Sequence, residues 1–247
     1  METRTIGCAV LAVLAMAIAT AFLWGSSLLG GGLPDYRYRL TVEVETPEGL
    51  KTGSSVIEVK TAVAGRNSIS VPGAVSHRVR GEAVTVDLGA RGVLIALLHA
   101  EDNSDWASNV VYRLVPEAPR VLDVEGHRDF EAQFAAMLEH LEPIELPRTF
   151  PEQGHLKDQP ARPMLVRLAD IADPRTLERV DPDDLAADFG PGVRLRRITM
   201  QLTDDPVTTG IEERLTWLPM VYQILDKSFH PEGIPVGDFK GLFLRRF

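Results

Sequence analysis

Residues Ile6 to Trp24 form an apolar run without a single charged side chain, and no other stretch narrows the options of the chain as far. As a helix rising about 1.5 Å per residue, the run is roughly 28 Å long, close to the hydrocarbon thickness of a bilayer. It is long enough to span. Arg4 and the terminal amine flank it on one side, which favours a cytoplasmic N-terminus and an exported remainder. Phe22 and Trp24 suit the aromatic belt at the outer interface. The competing reading is a cleaved secretory signal, because Ala17-Ile18-Ala19 and Ala19-Thr20-Ala21 offer small-residue cleavage sites. Cleavage there leaves a mature chain with an unusually apolar start at Phe22-Leu23-Trp24. A lipid anchor on Cys8 does not fit, since Cys8 precedes the apolar region that it should follow. Gly25 to Gly32 reads as a short flexible tether.

The 213 residues after position 34 are enough to bury a core unaided. Cys8 is the only cysteine, so the exported part can hold no disulfide. Its acidic balance, which carries nearly all of the net charge of −9, argues against nucleic acid as a partner, because that binding needs a basic surface.

The periodicities predict an α+β fold, mainly antiparallel β with a few short helices, behind an N-terminal transmembrane helix. Tyr36 to Glu45 alternates strictly, with Tyr36, Tyr38, Leu40, Val42 and Val44 on one face and charged or threonine side chains on the other. That is a half-buried strand. Pro47-Glu48-Gly49 turns it into a partner strand over Ser55 to Val63. Val84 to Leu88 and Val93 to Leu98 flank the turn Gly89-Ala90-Arg91-Gly92, and the second of these runs is apolar on both faces, as a central covered strand requires. Asn109 to Val115 is expected to add another strand. Phe130, Phe134, Met137, Leu138 and Leu141 share one face of a helix over 129–141, stopped by Pro143.

Five prolines then punctuate 143–163, the best candidate for a connector. The domain reading is therefore anchor and tether over 1–34, a β-rich part over 35–142, a proline-rich connector over 143–163, and a smaller α+β part over 164–247, separate or continuous with the first. In that last part, Met164 to Leu168 and Thr176 to Val180 read as extended. Asp181-Pro182-Asp183-Asp184 reads as a cap with a proline at the first helical position, ahead of a short helix ending at Phe189-Gly190. Val193 and Leu195 sit on one parity and Ile198, Met200 and Leu202 on the other, so a β-bulge is expected at Arg196-Arg197. Thr208 or Thr209 is expected to cap a helix whose Ile211, Leu215 and Leu218 share a face. The tail from Phe229 reads as irregular chain pinned by aromatic residues.

Motifs for chemistry are weak. Lys51-Thr52-Gly53 matches one signature of penicillin-binding proteins, but no Ser-x-x-Lys supplies the nucleophile, and the triplet reads as a hairpin turn. His127 and Glu131, one helical turn apart, are the only weak metal candidates, and a surface pair is the more economical account. Asp181, Asp183 and Asp184 lack the glycine and closing glutamate of a calcium loop, and capping accounts for them. Arg194, Arg196 and Arg197 fit a solvated strand face better than an anion site. No phosphate loop, dinucleotide fingerprint or serine-nucleophile elbow occurs. No catalytic residue and no cofactor are assigned. An outer-membrane β-barrel is rejected, because alternating strands are too few and Arg245 occupies an apolar slot near the end.

The runs Tyr38 to Gly49 and Gly53 to Val59, with Asp188-Phe189-Gly190-Pro191-Gly192 and the Asp204 to Pro219 region, resemble a set of uncharacterised bacterial proteins. The resemblance implies a bacterial envelope protein with a variable N-terminal membrane segment and carries over no site residues. The functional expectation is thus a single-pass inner-membrane protein, N-terminus in the cytoplasm and residues 35–247 in the periplasm. It would act as an interaction or structural module on an envelope partner. The alternatives are an envelope enzyme of hydrolase type with a site built from scattered residues, and a cleaved periplasmic binding protein.

Overall fold

A computed structural model describes residues 33–64, 75–115, 129–151, 158–226, 228–235 and 237–247. The expected span Ile6 to Trp24 and its tether lie outside them, and no described helix is long and apolar enough to cross a membrane. The chain divides into two compact units. In the first, described over 33–35, 60–64 and 75–77, the Leu33 amide donates to the Thr61 carbonyl at 3.1 Å and the Thr61 hydroxyl meets His77 Nδ1 at 3.1 Å.

The second unit, from Tyr36 to Val59 and from Arg78 on, is built on antiparallel strands. Strands β1 (Tyr36–Thr46), β2 (Gly49–Val63), β3 (Val75–Glu82), β4 (Val84–Asp87) and β5 (Val93–Ala96) precede helices α1 (Trp106–Leu114) and α2 (Phe130–Leu138). Then come β6 (Ile144–Glu145), β7 (Leu165–Leu168), β8 (Leu177–Arg179), α3 (Leu185–Phe189) and β9 (Arg194–Leu202). The chain closes with α4 (Ile211–Arg214), α5 (Val221–Ile224), α6 (Phe239–Phe243) and β10 (Leu244–Arg245). One sheet has the order β10-β3-β2-β1-β9-β6 and the other β4-β5-β7-β8. The mainly antiparallel α+β class follows directly.

The alternation in β1 is realised in full: its five apolar side chains are buried and the intervening ones only half so. The turn is Pro47-Glu48, and β2 begins at Gly49, earlier than expected, so Lys51-Thr52-Gly53 lies inside a strand rather than in a turn. Gly53 has a packing reason: a Cβ there would fall 2.2 Å from the Thr85 carbonyl oxygen of β4. The phase slip in β9 is also real. Glu43 pairs with Arg197 and Val44 with Leu195, which leaves Arg196 as the extra residue of a bulge. Strand β5 lies inside its sheet with Leu94, Ile95 and Ala96 buried, as its two-faced apolarity requires.

Residues 106–114 correct the expectation of a strand over Asn109 to Val115. Trp106, Val110, Val111 and Leu114 fall on one helical face and are buried, and the helix packs on β1, whose Tyr36 and Tyr38 hydroxyls donate to the Ser108 and Ala107 carbonyls at 3.3 and 2.8 Å. The helix outcompetes the strand propensity of Val110-Val111 because both valines then face one core. Helix α2 starts at the Asp129 cap, whose side chain accepts from the Ala132 amide, but ends at Leu138, leaving Leu141 exposed. The stretch 143–163, expected as a connector, supplies β6 to the larger sheet and buries Leu146, Phe150 and Ala161. Its described residues belong to the second unit.

Two caps differ from expectation. Asp184, not Asp181, caps α3, while Asp181 accepts from the Asp183 amide. Helix α4 starts at Gly210 without a threonine cap: Thr208 accepts instead from the Val56 amide at 2.8 Å, and the Glu82 carboxylate takes the Ile211 amide at 2.9 Å. The tail from Phe229, expected to be irregular, instead forms α6 and the strand β10 paired with β3, while its Phe229, Phe239 and Phe243 pack with Trp217 in tilted and edge-on contacts at ring-centroid distances of 5.5–6.2 Å, the aromatic pinning that the composition suggested.

Candidate functional site

Among the described residues, those singled out by sequence do not come together in one site. Glu131 sits exposed in the first turn of α2, and His127 lies outside the described residues, so their pairing is not on view. Among the described residues, no group of three or more His, Cys, Asp or Glu side chains could hold a metal ion. Arg194, Arg196 and Arg197 face Glu43 and Glu45 of the neighbouring strand in ion pairs and lie on an exposed face. Hydrogen bonding to Glu43 pushes the Arg197 pKa up. Asp183 pairs with Arg148, and that hydrogen bond holds its carboxyl below the usual range, with the charges of Arg148 and Arg162 adding to the effect.

Two perturbed groups were not anticipated. Glu82 lines a cavity of about 400 Å³ with Arg80, Arg245 and Arg246. Burial raises its pKa against the lowering effect of the Ile211 and Gly210 amides. His99 is nearly buried, its Nδ1 lacks a hydrogen-bond partner among the described residues, and burial, then the charge of Arg245, pushes its pKa down. Among the described residues, neither side chain hydrogen-bonds to a serine, threonine or cysteine side chain, and Glu82 is accounted for by its helix-capping bond.

A concave surface lies along β8, an outer strand of the four-stranded sheet. Three cavities follow one another there. The first, about 450 Å³, is lined by Leu177 with Ile224, Leu225, Phe229 and Pro231. The second, about 690 Å³, runs past Leu177, Glu178, Arg179, Asp181 and Glu232. The third, about 200 Å³, is lined by Glu101, Arg148, Arg162 and Arg179 between Pro160, Pro163 and Pro182. Leu177 belongs to the first two, and Arg179 and Pro182 to the last two, so the three form one track.

Local chemistry builds this track. Asp173 and Pro174 make a short 3-10 turn that delivers the chain into β8, and Pro182 stops the strand from continuing. Most of the charges are matched: Arg179 binds Glu101 in a two-bond fork at 3.1 and 2.8 Å, Glu178 holds Arg167 at 2.6 Å, and Arg148 forks onto Asp183. Three are not so matched. Among the described residues, Arg162 donates Nε to the Leu146 carbonyl at 3.0 Å but makes no ion pair, and neither Asp181 nor Glu232 has an ion-pair partner. The arrangement can hold a ligand by shape, backbone and unspent charge. Sequence reasoning missed it because Glu101, Arg148, Arg162, Arg179 and Glu232 come from separate segments, and no spacing rule links them.

No protein-family model, no curated protein and no solved structure matches this chain.

Proposed function

We propose that this chain is a bacterial envelope protein, tethered to the cytoplasmic membrane by Ile6 to Trp24, whose folded part in the periplasm binds an envelope partner. The span length and the flanking Phe22 and Trp24 support the tether; the resemblance of the Tyr38 to Gly49 and Asp204 to Pro219 regions supports the envelope. One observation carries the binding role: three linked cavities follow the outer strand β8. Concave surfaces with a few polar groups among apolar walls are where ligands bind.

The test is photo-crosslinking in cells, with the full-length protein carrying a photoreactive residue at position 232 beside the track, or at exposed Leu50 on the other sheet as control. An envelope protein captured at 232 and not at 50 is the expected result. Identical adducts at both positions, or none at 232, overturn the binding role. Turnover in a substrate screen, lost on Glu82→Gln without unfolding, would establish the enzyme alternative in its place. The tether is checked separately: the intact protein should stay with membranes in high salt, and a mature N-terminus at Thr20 or Phe22 by mass spectrometry would refute it.

A further inference from the structure

The backbone of β8 is incompletely used. Strands β7 and β8 pair antiparallel, Val166 with Arg179 and Leu168 with Leu177, and the Val180 amide donates to the Leu165 carbonyl at 2.9 Å while the Ala169 amide donates to Thr176 at 3.2 Å. In an antiparallel ladder the bonded pairs alternate with unbonded ones. Leu177 and Arg179 are therefore in unbonded pairs, and their amides and carbonyls point away from β7. The Leu177 amide is taken by the Pro174 carbonyl. The Leu177 carbonyl and both backbone groups of Arg179 have no partner among the described residues, although the second cavity runs directly past them.

We infer that the track along β8 takes an extended peptide segment of a partner protein by strand addition, with a cationic side chain at its middle and an apolar residue at its Leu177 end. This rests on the binding role proposed above. The extent of β8, Leu177 to Arg179, offers about 7 Å of edge, at about 3.3 Å per residue, to the middle of a segment of about five residues, and beyond it the Asp181 carbonyl is taken by the Asp184 amide at 3.1 Å. Main-chain bonds to Leu177 and Arg179 supply the affinity, and the flanking cavities read alternate side chains. Charge sets the middle position: Asp181 and Glu232 are the carboxylates beside the second cavity that have no ion pair among the described residues, and Arg179, the cation that lines the same cavity, is neutralised by Glu101. At the Leu177 end, Ile224, Leu225 and Phe229 offer an apolar wall. The shortness of β8 and Pro182 keep the edge from pairing indiscriminately.

The full-length protein in detergent is titrated against a fluorescent peptide, Val-Thr-Lys-Thr-Leu, and two relatives. One has glutamate in place of lysine; the other is N-methylated at alternate backbone nitrogens, which removes ladder donors and leaves every side chain in place. Saturable binding of the lysine peptide is expected, at least tenfold weaker for the glutamate peptide and lost for the methylated one. Arg179→Pro should abolish binding, and Arg179→Ala, which loses the Glu101 ion pair but keeps the open amide, should bind at least tenfold more tightly than Arg179→Pro. Glu232→Lys should reverse the preference between the lysine and glutamate peptides. Equal binding of the methylated peptide, equal effects of Arg179→Pro and Arg179→Ala in folded protein, or no saturable binding of the lysine peptide each overturn strand addition. If a partner is still captured at position 232, the binding role survives that failure; if capture fails as well, both fall.

Discussion

The two outer strands of the four-stranded sheet, β4 and β8, solve the same problem in opposite ways. Each carries backbone groups that its single neighbour cannot satisfy. On β4, the Leu88 amide closes onto Gly92 at 2.9 Å, so by alternation the Thr85 carbonyl points away from β5, and there it meets β2 at Gly53. On β8, the equivalent groups of Arg179 open onto a cavity. Covering an edge this closely demands a position with no side chain; leaving one open demands only that its neighbours discourage random pairing. The covered edge is closed by packing, and the open one keeps backbone groups of Arg179 without a partner among the described residues.

The sharpest way to break the contrast is Gly53→Ala. Its Cβ would lie 2.2 Å from the Thr85 oxygen and 2.9 Å from the Thr85 carbonyl carbon, and backbone cannot move aside as a side chain can. We expect a loss of about 2–4 kcal/mol by urea unfolding. Beside β8, Gly233→Ala meets only the flexible Arg179 side chain at 3.3–3.4 Å, although its φ of +68° is strained for alanine. A loss of about 1–2 kcal/mol is expected there. Equal losses would mean that the covered edge is not closely packed.

Hydrogen exchange sharpens the comparison without mutation. The Arg179 amide should exchange on the order of 100-fold faster than the neighbouring Val180 amide, which is bonded to Leu165. Addition of the lysine peptide should slow Arg179 and leave Val180 unchanged.

Two pH effects bear on the covered side. Burial raises the Glu82 pKa in the folded state, so the folded protein holds this proton more tightly than the unfolded chain. Stability should therefore fall as pH rises from the ordinary carboxylate value through the raised one. Glu82→Gln, which can still accept from Ile211, should remove that slope in thermal melts between pH 4 and pH 8. The smallest effect is expected at Glu48, where the hydrogen bond to Arg91 brings the carboxyl to about 2. Arg91 follows β4 and also donates to the Phe189 carbonyl at 3.0 Å. Here the sign is opposite: the contribution is complete above the ordinary carboxylate value and disappears as pH falls through about 2. The difference in melting temperature between wild type and Arg91→Ala should narrow over that range, and a constant difference would show that Glu48 is not the partner that matters.

Elements with their own period were legible. Tyr36 to Glu45 shows its buried face by alternation, and the parity change between Leu195 and Ile198 locates the bulge at Arg196 within one residue. Helix α1 was not, because Val110-Val111 favours a strand locally and the helical face emerges only when Trp106 is counted with it. The cap of α4 was hidden for a different reason. Thr208 is engaged by Val56, and the carboxylate that takes its place comes from 129 residues away. The candidate site was the least legible part, since its ion pair between Glu101 and Arg179 closes across 78 positions.

By itself, then, the sequence determined which faces of which strands are buried, where the larger sheet carries an extra residue, and that an uncharged apolar run long enough for a bilayer precedes the fold. These are properties of neighbouring side chains, and apolar burial at period two or 3.6 imposes them before any distant contact forms. Tertiary structure alone decided which strand edge is covered and which is open, which threonine is spent on another strand, and which arginine of the track makes no ion pair among the described residues. Those outcomes depend on hydrogen bonds and ion pairs between segments far apart in the chain, whose partners no local pattern names.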